Sequence, residues 1–201
     1  VTINRQQEIE QLFQSKGPVL RSKQLSAAGI YSSDIGEMLD NRVIERLRTG
    51  SYILVKDIEK LGDFERVALA FPHSVITMFS AAQYHDLTSV IPTKIDIALP
   101  AHMRTPILPA YPPIRVYKFV PRIFSVGIAE VAGSYTMFRI YNRERTVCDF
   151  MRLRRQIGED VALEAVKNYM ASSSRNLQAL FDTAEEIGIN TVLKPYAEML
   201  L

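Results

Sequence analysis

Apolar residues in the first third of the chain recur at intervals of three and four before giving way to alternation. Ile9, Leu12 and Phe13 share one helical face, which predicts a helix over residues 4–16, capped by Asn4 and ended by Gly17-Pro18. Ser22 is placed to cap a second, short helix that turns Leu25 inward, and Gly29 supplies the backbone freedom needed just past its end. Ser32 or Ser33 caps a third helix over residues 32–42, whose Ile35, Met38, Leu39 and Val43 form an inward stripe. Val43, Ile44 and Leu47, then Tyr52, Ile53, Leu54 and Val55, read as two core strands turning at Thr49-Gly50. Helices of this length are too small to be stable apart, and the three can share one core.

Beyond residue 56 a charged stretch ends at Gly62, a boundary that can also open a helix through Phe64, Val67, Ala68 and Phe71, stopped by Pro72. Val75, Ile76 and Thr77 form a β-branched run, and Ser80 is placed to cap a helix over residues 81–87. The texture then becomes β over residues 94–99, 114–120, 128–132 and 135–141, the last two flanking Gly133-Ser134. From Asn142, which caps, the pattern is helical to the end. Val147, Phe150, Met151 and Arg154 mark the first of these helices; others start near Gly158, after Ser174 and at Asn190. Strands followed by helices predict an α+β fold, with one domain over residues 1–60 and an α+β domain over residues 61–201 that ends in a helical segment.

Helix, turn, helix and hairpin in that order predict a winged helix-turn-helix in the first domain. In such a unit the later helix enters the major groove and the hairpin reaches phosphates. The outward positions of the third helix are Ser33, Asp34, Glu37, Asn41 and Arg42. Asn pairs with adenine and Arg with guanine, whereas acids repel phosphate, so Asp34, Glu37 and Asp40 count against this helix. The hairpin compensates in part: Arg42, Arg46 and Arg48 face one acid, Glu45. Ser33, Asn41, Arg42, Arg46 and Arg48 are the expected DNA contacts. The competing reading is a solvated face on a module that binds protein.

Composition narrows the classes. With 24 basic and 22 acidic residues the net charge is +2, so DNA binding must come from a local patch. One cysteine, Cys148, excludes an internal disulfide and fits a reducing compartment. No apolar run approaches a bilayer span, and the polar start lacks a secretory core, so the expectation is a cytoplasmic protein without a membrane partner. No phosphate loop, GxSxG or HExxH pattern is present, and His73, His85 and His102 lack the spacing of metal ligands. Asp96 resembles a nuclease carboxylate but lacks an E-x-K partner. The reading is non-enzymatic, with no cofactor and no metal.

Residues 142–155 carry five arginines against two acids. Arg145, Asp149 and Arg152 are spaced for a ladder of helical ion pairs, each worth about 0.3–0.5 kcal/mol at a surface. Alternatively Arg143, Arg145, Arg152 and Arg155 offer a surface to an acidic partner.

The sequence resembles the AbiEi family of antitoxins from bacterial abortive-infection operons. The resemblance is carried by the winged helix with Arg46-Leu47-Arg48-Thr49-Gly50-Ser51-Tyr52, by Ser80-Ala81-Ala82 followed by His85-Asp86-Leu87, by Ile95-Asp96-Ile97-Ala98-Leu99-Pro100, and by Glu144-Arg145-Thr146 to Asp149. It implies an antiviral-defence antitoxin whose first domain represses its own operon at promoter inverted repeats, two copies acting together on DNA. It also implies that the second domain counters a nucleotidyltransferase-like toxin, directly or indirectly. It implies no catalysis.

Overall fold

The computed structural model describes residues 3–200, with side chains from Gln6 onward. The fold is mixed α+β, in two compact units. The first holds the chain up to Pro72 together with Ile107–Pro112 and Ala132–Met137; the second holds His73–Pro106, Pro113–Val131 and the chain from Phe138 onward.

In the first unit the order is α1 (Ile3–Lys16), β1 (Val19–Arg21), α2 (Ser22–Ala27), α3 (Ser32–Asp40), β2 (Ile44–Arg48), β3 (Ser51–Leu54), α4 (Val55–Ile58) and α5 (Asp63–Ala70). The Asn4 side chain, the expected cap of α1, lies outside the described residues. Three antiparallel strands form a sheet in the order β1-β3-β2. Ile9, Phe13, Leu20, Leu25, Ile35, Met38, Ile44, Tyr52 and Leu54 form one core between helices and sheet. All four residues of β3 are buried, so the sheet is covered on both faces, and α5 packs against β2. Strand β1 was not expected: three residues are too few to show a period, and pairing to β3 is what makes them a strand.

Two local details correct the expected caps. Arg21 donates its N–H to Gln24 Oε1 at 2.9 Å, and Tyr31 donates to Asp34 Oδ2 at 2.8 Å. Each helix is therefore closed by an acceptor reaching back from its first turn, and Ser22 and Ser32 are first helical residues, not caps. Helix α3 also stops at Asp40, two residues before the expected end. Arg42 adopts φ 53°, while its N–H donates to Leu39 O at 3.1 Å and that of Val43 to Met38 O at 2.9 Å, a left-handed closure of the helix.

The second unit runs β4 (Val75–Ile76), α6 (Met78–Tyr84), β5 (Ile95–Pro100), β6 (Ile114–Phe119), α7 (Pro121–Phe124), β7 (Ile128–Ala132), β8 (Met137–Tyr141), α8 (Arg143–Arg152), α9 (Arg154–Ile157), α10 (Glu159–Ala171), α11 (Leu177–Glu186) and α12 (Asn190–Glu198). Its mixed sheet has the order β6-β5-β4-β8-β7, with β4 antiparallel to β5 and parallel to β8. Helix α8 is central, packing against α6, α10, α11 and α12, and its Val147, Cys148, Phe150 and Met151 are fully buried. Asn142 caps it as expected, accepting from the Arg145 N–H at 2.9 Å. Ser80 does not cap α6; Thr77 precedes that helix, and Ser80 Oγ instead accepts from the Asp96 N–H at 2.9 Å. Among the described residues no helix is long and apolar enough to cross a membrane.

Candidate nucleic-acid interface

The five residues expected to contact DNA do not form one cluster. Ser33 is exposed in the first turn of α3. Asn41 and Arg42 are exposed beyond the end of that helix, where they border a depression with Glu10, Lys56 and Glu59. Lys56 is ion-paired with Glu10 there, so acid and base are already balanced. Arg46 is exposed on β2, its guanidinium 5.8 Å from the centre of the Tyr52 ring, and it borders a groove shared with Ser22, Ser26, Tyr31 and Ser32. Arg48 is half-buried in a different depression of about 800 Å³.

The separation has a local cause. The strand ladder steps from Arg46↔Tyr52 to Arg48↔Ser51, leaving Leu47 as a bulge. Leu47 is buried while Arg46 stays exposed, and two arginines that simple alternation would have placed on one face are sent to different grooves. The left-handed turn at Arg42 removes Asn41 and Arg42 from the helix face in the same way. Asp34, counted against DNA binding, is occupied in closing its own helix through Tyr31.

The depression at Arg48 holds residues that the sequence did not single out. Lys16, at the end of α1, and Arg21 and Lys23, either side of the β1–α2 junction, border it with Arg48, and among the described residues no acid lines it. Lys16, Arg21 and Lys23 are exposed. Only the pairing of β1 beside β3 brings Arg21 near Arg48, 27 positions away in the chain, and that short strand had no signal.

The arginines expected to face a partner are distributed differently. Arg145 is completely buried: Nε donates to Asp149 Oδ2 at 3.0 Å, Nη1 donates to the carbonyls of Ile123 and Val126, and the guanidinium lies 4.1 Å from the centre of the Tyr141 ring. It belongs to no surface. The spacing of Arg145 and Asp149 indicates a shared face correctly, but that face is the inner one. Arg152 also bonds Asp149, at 2.9 Å, and stacks over Phe119. Arg143 donates to Ser174 Oγ at 2.6 Å and lies over Tyr169, both arginines being half-buried. Arg155 is exposed.

The remaining reactive groups are held in structural roles. Cys148 is buried, its thiol pushed well above the ordinary range by burial and the neighbouring Asp149. His85 is half-buried, with Nε2 2.8 Å from Tyr141 O, and burial lowers its pKa. Asp96 on β5 is buried, accepting from Phe79 N–H at 3.0 Å and from Arg115 Nε at 2.8 Å; burial nevertheless raises its pKa to about 6. Glu65 on α5 is buried, and its carboxylate accepts from the N–H groups of Gly62, Tyr135 and Thr136. A side chain at Gly133 would collide with that carboxylate. Among the described residues no group of three or more His, Cys, Asp or Glu side chains could hold a metal ion. Compared with known protein families and with curated proteins, the chain matches none.

Proposed function

We propose that this chain is a DNA-binding antitoxin and autoregulator, whose first unit is a winged helix-turn-helix that grips promoter DNA. One observation carries the DNA-binding part: Arg46 of the β2–β3 hairpin borders the same groove as Ser22, Ser26, Tyr31 and Ser32 around α2 and the start of α3, and among the described residues no acid lines it. Hairpin cation and helix start share a face, which is what simultaneous contact with phosphates and base edges needs. The element order α1-β1-α2-α3-β2-β3 and the use of Asp34 in helix closure support the same reading. Ser33 is the base-edge candidate on α3, and Arg46 takes phosphate. The resemblance to AbiEi antitoxins adds the operator, inverted repeats bound by two copies, and a nucleotidyltransferase-like toxin as the target of the second unit.

The test is a gel shift with DNA immediately upstream of the gene. Arg46→Ala should weaken binding and lower its salt dependence by about one phosphate contact. Unchanged affinity and slope would remove Arg46 from the contact surface.

A second reading, a protein-interaction module that never meets DNA, draws on Glu37 and Asp40, which remain exposed acids on α3. It predicts no retention of promoter DNA at any salt concentration, with partner binding intact.

A further inference from the structure

We infer that the depression bordered by Lys16, Arg21, Lys23 and Arg48 is a phosphodiester-binding site, and that it carries most of the electrostatic grip on duplex DNA. The inference rests on the DNA-binding reading above and adds to Arg48, already an expected contact, three phosphate contacts outside the expected set: Lys16, Arg21 and Lys23.

The register places these cations. Ser51 on β3 pairs with Arg21 on β1 and with Arg48 on β2, so one row across the sheet reads Arg21, Ser51, Arg48. Directly paired residues in antiparallel strands project to the same face, and two strand spacings separate the arginines by about 10 Å. That face is opposite the one on which Leu20, Tyr52 and Leu54 meet the helical core. Ser51 is buried and adds no charge, so nothing between the two guanidiniums neutralises them. Lys16 and Lys23 complete a four-cation rim about a space of about 800 Å³ that no carboxylate lines among the described residues. Concentrating like charge without a counterion is unfavourable in the free protein and becomes favourable when a polyanion enters.

The site also adjoins the groove of Arg46. The Ser22 N–H donates to Gly50 O at 3.0 Å, which pins the start of α2 to the hairpin turn. Ser22 borders the Arg46 groove, whereas its neighbours Arg21 and Lys23 border the basic depression. Consecutive residues at the start of α2 thus border the two sites, although Arg46 and the Arg21-Ser51-Arg48 row lie on opposite faces of the sheet. By contrast Asn41 and Arg42 share their depression with Glu10 and Glu59 and offer little net field.

The experiment uses the full chain, fluorescence anisotropy and a salt series, with two probes: labelled duplex from upstream of the gene, and heparin. The variant Lys16→Gln, Arg21→Gln, Lys23→Gln changes three exposed side chains, and thermal unfolding checks that its fold is retained; Lys167→Gln, an exposed cation in the second unit, is the control. The expected result is a salt slope on duplex lower by about 2 to 3 and affinity weaker on the order of 10²-fold at 0.1 M salt, with the control unchanged. If wild type binds duplex and the triple variant keeps its slope, the depression is not the grip, while DNA binding stands. If wild type ignores duplex but binds heparin in a manner lost in the triple variant, the site is a polyanion site and the DNA reading falls. Binding of neither probe overturns both.

Discussion

Replacing Arg145 with Met removes a fully buried guanidinium that bonds Asp149 and the carbonyls of Ile123 and Val126 and stacks on Tyr141. Asp149, itself inaccessible, is then left with Arg152 as its ion-pair partner. Breaking one partner of a buried pair costs about 3–5 kcal/mol, because the other charge stays desolvated. Asp149→Leu should cost a similar amount, since it strands Arg145 instead. In the double variant Arg145→Met, Asp149→Leu no uncompensated charge remains at the centre, and Arg152, about a quarter exposed, can turn to water. The double variant should therefore be more stable than the sum of the singles by on the order of 2 kcal/mol. Urea unfolding of all four proteins measures the cycle; for a chain of this size each single should also lower Tm by about 10–15 °C. Strictly additive costs, or a single variant within about 0.5 kcal/mol of wild type, would refute the buried-pair account and return Arg145 to the surface.

Glu65→Ala should cost about 3–4 kcal/mol in stability, since three backbone N–H groups lose a charged acceptor, and Glu65→Gln should cost less because one oxygen remains. Burial pushes the Glu65 pKa up, but the N–H groups of Thr136, Gly62, Tyr135 and Ser134 outweigh it and hold it below 4.5. Its stabilisation is therefore complete above that pH and lost as pH falls through the lower folded value, so Glu65→Gln should flatten the acid limb of a stability–pH profile. Asp96 has the opposite sign. Its pKa rises on folding from 3.8 to about 6 through burial, so its linked stability is full below 3.8 and declines as pH rises through 6, on the order of 3 kcal/mol in total. Asp96→Asn should abolish that decline, as urea midpoints between pH 4 and pH 7 would reveal; an identical slope in both proteins would contradict the assignment.

The sequence disclosed most elements whose apolar period was long enough to count. Ile9 and Phe13 of α1, Ile35 and Met38 of α3 and Val147, Phe150 and Met151 of α8 lie in the cores their spacing indicates. Cap positions slipped by one residue because the closing acceptors are Gln24 and Asp34, which reach back from the first turn, where a serine hydroxyl was the expected acceptor. Strand β1 and the bulge at Leu47 had no local signature, since both arise from pairing with β3. The separation of Arg46 from Arg48 and the gathering of Lys16, Arg21 and Lys23 follow from those same two features, whereas Arg42 is set apart by its left-handed turn. Charge spacing identified the Arg145–Asp149 pair, but period alone does not distinguish an outward charged stripe from an inward one. Only the aromatic surroundings, Tyr141 and Phe119, reveal that this stripe is buried.

If the first unit recognises DNA, the full chain protects the DNA upstream of its gene. Hydroxyl-radical footprinting should show two protected patches centred one helical turn apart, about 34–36 Å, or a multiple of it, with both weakened by Arg46→Ala. Uniform cleavage at saturating protein would contradict it.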